Sequence, residues 1–276
     1  MGSVVLTEKE FVGRDGTRFA YVEEGQGSPI VLLHGWSSSL RWFERNIPEL
    51  AKSHRVVALD FRGHGSSEKT ASGHTMEQYA IDVRDFIDGV GVRNPVVVGW
   101  SMGSIVLWNY IMQFGRGQAS SMVFVGQSAS DLITPKYEHG IIPESEVQRY
   151  MYELQMDRRK LVAHNMEIMV KHRPSDDELE WMTEDYLRCP AHIATVAFYH
   201  QTMADSMPAF PKIDFPCQVH FGVDPKMYKL VHGEYLASII PGSELIVFEE
   251  SGHVPMREEP ERFNRELHAF ASRVSG

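Results

Sequence analysis

Apolar positions along this chain change their period several times, and each change marks an element. In FVGRDGTRFAYVEEG, apolar and polar side chains alternate on both sides of Arg14-Asp15-Gly16, the pattern of an antiparallel hairpin. SPIVLLHGW, HRVVALDFRGHG, NPVVVGWSMG and SSMVFVGQ follow, each a short continuous apolar run. A run apolar at every position is a strand covered on both faces, which is how parallel sheets are built. Between them, MEQYAIDVRDFIDGVG sets Tyr79, Val83, Phe86 and Ile87 at helical spacing and ends at glycine, as a crossover helix does. After Ser101 the residues Ile105, Val106, Trp108, Ile111 and Met112 again recur with helical spacing. Buried strand alternating with amphipathic helix predicts an α/β fold with a doubly wound, mostly parallel sheet.

From Asp131 to Pro211 the alternation stops. EVQRYMYELQMDRRKLVAHNMEIMVKH, SDDELEWMTEDYLRC and AHIATVAFYHQTMADSM all read as helical, separated by Pro174 and Pro190, and Ser175 caps its helix with Glu178 three positions on. The sheet resumes with FPCQVHFGV and ELIVFEE, and RFNRELHAFASRV closes the chain as an amphipathic helix. The expected organisation is a core formed by residues 1–130 and 212–276, with residues 131–211 inserted as a helical cap. Met151, Met156, Met166 and Met169 in that insertion are expected to fill core, as are Trp42, Trp100 and Trp108.

Composition narrows the chemistry. A chain of 276 residues with 43% hydrophobic content can bury roughly three quarters of its unfolded surface without staples. Its two cysteines, Cys189 and Cys217, form no disulfide framework and are expected as free buried thiols. A net charge of −10 opposes a nucleic-acid partner. No run has the length to span a bilayer, and MGSVVLTEKEF lacks the layout of a secretory leader, so a cytoplasmic protein without a membrane partner is expected. No HExxH or ligand-spaced cysteine pair implies a metal, and no Lys-Ser/Thr follows the glycines of DFRGHG to imply a nucleotide, so no cofactor is expected.

The break in VVVGWSMGSIVLW is the feature that points to activity. A sharp turn from strand to helix strains the residue at its apex, here Ser101, and needs neighbours without side chains, here Gly99 and Gly103. The turn lifts a hydroxyl beyond the carboxyl end of the sheet, where open α/β sheets bind ligands, and beside the free N–H groups of a helix start. Serine is a weak nucleophile without a base, so an imidazole and a carboxylate are required from elsewhere.

Four motifs in order supply a resemblance: His34-Gly35-Trp36 after one strand; Asp60, Arg62, Gly63, Gly65 and Ser67 as DxRGxGxS after the next; the GWSMG turn; and GHVPMREEPERF around His253. With these the chain resembles the α/β-hydrolase superfamily, in its esterase- and lactonase-like branch with a helical cap, over nearly its whole length. The resemblance implies that Ser101 is the nucleophile, His253 the general base and Asp224 the orienting acid. It also implies an oxyanion hole formed by the backbone N–H groups of Met102 and Trp36. His34 and His64 are then structural donors in family turns. Two positions depart from the usual pattern. Asp224 stands two residues after Gly222 where relatives carry Gly-x-x-Asp, which leaves Asp131 as the rival acid, and Ser104 replaces a common glycine. The implied activity is cofactor-free hydrolysis of a small or medium carboxylic ester or lactone through an acyl-enzyme. Acyl-homoserine lactone hydrolysis, perhydrolase or cofactor-free haloperoxidase chemistry and carbon–carbon bond hydrolysis use the same triad, and a non-enzymatic ligand-sensing module is the alternative of another class.

Overall fold

The alternating stretches around Arg14-Asp15-Gly16 pair as antiparallel β1 (Glu8–Val12) and β2 (Arg18–Glu24), with Phe11 opposite Phe19. In the computed structural model, which describes residues 6–224 and 226–274, the continuous apolar runs become β3 (Ser28–Leu33), β4 (His54–Leu59), β5 (Val96–Trp100) and β6 (Ser121–Val125). A short helix α1 (Ile47–Leu50) leads into β4, α2 (Met76–Gly89) joins β4 to β5, and α3 (Met102–Phe114) joins β5 to β6. Thr75 caps α2 by accepting from the Gln78 N–H, and Tyr79, Val83, Phe86 and Ile87 form its buried face.

Two residue pairs, β7 (Leu132–Ile133) and β8 (Ile142–Pro143), form a small separate ladder before four helices: α4 (Glu144–Met156), α5 (Arg158–Met169), α6 (Asp176–Leu187) and α7 (Ala191–Thr202). The stretch 146–172, uniform in its helical pattern, is broken at Asp157, whose φ of −143° and ψ of 56° interrupt the ladder between α4 and α5. Ser175 does cap α6, accepting from the Glu178 N–H. The chain then returns to the sheet with β9 (Cys217–Gly222), α8 (Leu230–Ile239), β10 (Glu244–Phe248), α9 (Pro255–Glu258) and α10 (Pro260–Val274).

The sheet has eight strands in the order β1-β2-β4-β3-β5-β6-β9-β10. From β4 to β10 all neighbours are parallel, while β1 and β2 form an antiparallel edge. The connection through β4 runs to one side of β3 and the return to β5 runs to the other, so the strand order reverses next to β3 and β5. Ligands bind at such a switch point. Core packing follows the apolar runs: Val31, Leu32, Val57, Val98 and Val123 are fully buried, as are Trp42, Trp100 and Trp108. Cys189 and Cys217 are free and buried. Met166 and Met169 are buried too, but Met156 at the C-terminal end of α4 is 66% exposed and packs no core. Among the described residues no helix is long and apolar enough to cross a membrane.

One buried ion pair ties the turn after β4 to its surroundings. Arg62 grips Asp82 of α2 with Nε and Nη2, both at 2.6 Å, and reaches Asp15 in the β1–β2 turn at 2.7 Å. Removing one member of such a pair leaves its partner charged and dry. Arg62→Ala is therefore expected to lose about 3–5 kcal/mol of stability in denaturant titration, whereas Arg14→Ala, on a side chain 69% exposed beside Asp85, should stay within about 0.5 kcal/mol of the parent.

Candidate active site

The turn between β5 and α3 is built by the absence of two Cβ atoms. A Cβ on Gly99 would meet the Gly103 carbonyl carbon and oxygen at 2.5 Å, and a Cβ on Gly103 would meet the Leu33 oxygen at 2.6 Å and the His34 oxygen at 2.9 Å. Strand and helix are thus in direct backbone contact. Ser101 between them is forced to φ 55°, a left-handed conformation that side chains avoid, and its own N–H donates to the Val125 oxygen at 2.9 Å. Serine at position 104 proves to be a fastener: its hydroxyl donates to the Gly99 oxygen at 2.6 Å and accepts from the Val125 N–H at 3.2 Å, so it locks the turn onto β6. Helix α3 starts at Met102, whose N–H is among the first-turn amides with no partner inside the helix.

The loop after β3 comes up against this turn. Gly35 lies so close that a Cβ there would stand 3.1 Å from the Ser101 Cβ and 3.2 Å from the Trp100 ring. His34 holds the loop in shape. Its Nε2 accepts from the Phe61 N–H at 3.1 Å, which leaves Nδ1 as the donor to the Gly35 oxygen at 2.7 Å. Burial pushes its pKa down to about 3, so it is a neutral brace. His64 likewise bonds the Arg62 carbonyl through Nδ1. Ser37, at φ 57°, turns the chain away after Trp36, and the Trp36 indole donates to the Ala194 oxygen of α7 at 2.8 Å.

His253 follows β10 and arrives at the same end of the sheet. Its carbonyl accepts from the Trp100 indole at 3.0 Å and its N–H donates to the Met169 oxygen of α5 at 2.7 Å. The imidazole lies between the Trp100 ring, 5.6 Å away and tilted, and the Tyr228 ring, stacked at 5.0 Å with 26° between planes. It also abuts Gly126, where a Cβ would come 3.0 Å from Nδ1. That nitrogen is buried and no side chain bonds it; the polar group beside it is the Gly126 main chain. Burial accordingly drives the His253 pKa to about 3, opposed only by the Gly126 main chain.

The structure therefore gathers Ser101, Met102, the Trp36 loop and His253 at one end of the central strands, and does not bring the Asp224 carboxylate to the imidazole. Asp224 instead accepts from the Lys226 N–H at 3.1 Å and faces the Lys226 ammonium at 3.1 Å; that ammonium also donates to the Val170 oxygen at 2.6 Å. Asp131, 2% exposed, is surrounded by donors: Gln127 Nε2 at 2.6 Å, Tyr228 Oη at 2.7 Å and Gln201 Nε2 of α7 at 2.8 Å. Tyr228, Gln127 and Gln201 have no motif to announce them; a tyrosine four residues past Asp224 looks like any core aromatic.

Helix α6 is bonded to residues beside this cluster. Asp185 of α6 accepts from Ser39 Oγ at 2.8 Å and from the Trp42 indole at 3.0 Å, while Arg257 pairs with Glu178 of α6 and lies 4.4 Å over the Trp181 ring. Ser101 is left 8% exposed and His253 6%. Surface grooves of about 1200 Å³ around Ser28 and Cys217, and of about 1110 Å³ between α1 and α10, lie away from these residues.

Residues 30–266 match the model of the family described as the alpha/beta hydrolase family. An AB hydrolase superfamily protein of Bacillus subtilis is 24% identical over 99% of this chain and 100% of its own length. A bifunctional esterase/perhydrolase of Acinetobacter calcoaceticus is 25% identical over 93% of this chain and 97% of its own. In three dimensions an esterase of Exiguobacterium antarcticum superposes with a TM-score of 0.92 at 24% identity, covering 96% of this chain and all of the other, which is a likeness of fold.

Two outcomes follow from the geometry. Gly99→Ala forces a methyl into the Gly103 backbone and should cost at least about 2 kcal/mol in thermal or chemical unfolding, with loss of whatever activity Ser101 supports. A histidine with a lowered pKa stays neutral as pH falls through the ordinary imidazole range. The acid limb of kcat/KM is therefore expected well below pH 6.5, and a limb at or above that value would contradict the burial described.

Proposed function

The chain belongs to the alpha/beta hydrolase family, and from that premise we propose that it is a serine hydrolase that opens small or medium carboxylic esters or lactones. The Ser101 hydroxyl attacks the acyl carbon as His253 takes its proton. The oxyanion is received by the N–H groups of Met102 and Trp36, and the imidazolium then protonates the leaving alcohol. Water, activated by the same imidazole, releases the acid and restores Ser101. No cofactor takes part in these steps.

The observation that carries this reading is the strained backbone of Ser101 at φ 55°, held between two glycines at the start of α3. A hydroxyl is kept in such a conformation at the cost of about 1–3 kcal/mol where strain serves the chemistry. Residues 131–211 act as the cap. The Trp36 ring stands 6.0 Å from Tyr186 of α6 and 5.9 Å from Phe198 of α7, and Tyr150 of α4 stacks on Phe198 at 4.4 Å. These aromatic faces select an apolar acyl group of limited size and exclude a polymer. Perhydrolysis is a second reading, favoured by the relative named as both esterase and perhydrolase. It needs no new residue, since hydrogen peroxide takes the place of water at the acyl-enzyme.

Ser101→Ala should lower turnover of p-nitrophenyl acetate by at least about 10⁴-fold while circular dichroism and melting temperature stay at parental values. Retained turnover in that variant would reject the mechanism. Across p-nitrophenyl esters of increasing acyl length, kcat/KM should fall once the chain outgrows the Trp36–Phe198 wall, and Phe198→Ala should move that break to longer chains.

A further inference from the structure

Proton transfer from Ser101 creates a positive imidazole in a place that burial makes hostile to charge, and no carboxylate meets Nδ1. Something else must offset the imidazolium. Besides the Gly126 main chain and the tilted Trp100 ring, the Tyr228 ring is stacked on His253 with 5.0 Å between centroids and 26° between planes, and the face of an aromatic ring attracts a cation. Behind it, the Tyr228 hydroxyl donates to Asp131 at 2.7 Å. Burial raises the Asp131 pKa, and the three donors it receives, from Gln127, Gln201 and Tyr228, oppose that rise by favouring the ionised carboxylate. A phenol hydrogen-bonded to an anion carries more electron density in its ring. The charge of Asp131 is thereby transmitted to the face against which the imidazole rests.

We propose that Asp131 is a positioning residue that acts through Tyr228, and that this pair steadies the His253 imidazolium in place of a carboxylate on Nδ1. Asp224, held by Lys226, is not required for this. Gln127 and Gln201 fix the Asp131 carboxylate, and because Gln201 belongs to α7 the arrangement is complete only with the inserted helices in place. The inference rests on the serine-hydrolase reading.

The test measures kcat and KM for p-nitrophenyl acetate with the full chain and with Asp131→Asn, Tyr228→Phe, the double variant, Asp224→Asn and Ser101→Ala. Asp131→Asn is compatible with folding: the Gln201 amide can rotate to present its Oε1, buried and unpartnered in the parent, to the new NH₂ group. Tyr228→Phe keeps the stacked ring. Each single change is expected to lower kcat about ten-fold with KM nearly unchanged. The double variant should be no slower than the slower single one, because both cut the same link. Equal falls in kcat in additive steps, a rise in KM with unchanged kcat, or a kcat loss confined to Asp224→Asn would each overturn the proposal. Ser101→Ala keeps the two ideas apart. If it retains turnover the hydrolase reading fails; if it is inactive while Asp131→Asn and Tyr228→Phe run at the parental kcat, only the role of Asp131 fails.

Discussion

Between β5 and α3 the two backbones meet with no space for a side chain, and the placement of Ser101 and of the first α3 amides depends on that contact. Gly99, Gly103 and the carbonyls of Leu33 and His34 meet with no room for a methyl group between them. That contact sets the angle at which α3 leaves the sheet, and the angle sets the backbone of Ser101. It also fixes where the first N–H groups of α3 point. Ser104 adds a hydroxyl that joins β5 to β6 across the turn, so a residue that departs from the common glycine strengthens the same constraint from the neighbouring strand.

A second principle is the exclusion of water. Ser101 and His253 are buried close to Trp36, Trp100 and Tyr228, and desolvation keeps the imidazole neutral. The same dryness strengthens every dipole aimed at a developing charge. On the proposed reading the resting site is uncharged where it touches substrate, and charge separation is confined to the moment of transfer. The oxyanion then lies against one helix amide and one loop amide, and the imidazolium against an aromatic face.

Much of this was legible from residue order. Runs such as Val96-Val97-Val98 admit one environment, the centre of a covered sheet, and a Gly-x-Ser-x-Gly break between strand and helix admits few geometries. His34 and His64 also occupy the bracing roles that the turn motifs imply. The surroundings of the two candidate acids were not legible. Asp224 sits on the expected strand end, but a lysine two residues later captures its carboxylate, and a local ion pair of that kind leaves no periodic trace. Tyr228 escapes for the opposite reason: its hydroxyl bonds Asp131, 97 positions earlier, and long-range polar contacts are chosen by tertiary packing. The break at Asp157 within a uniformly helical pattern is a third instance, where packing of α4 against α7 and of α5 against α6 overrides local propensity.

The bonds that seat the inserted helices end on residues beside the chemistry. Ala194 of α7 holds the Trp36 indole, Met169 of α5 holds the His253 amide, and Gln201 of α7 holds Asp131. Displacing these helices would therefore also release Trp36, His253 and Asp131 from these anchors.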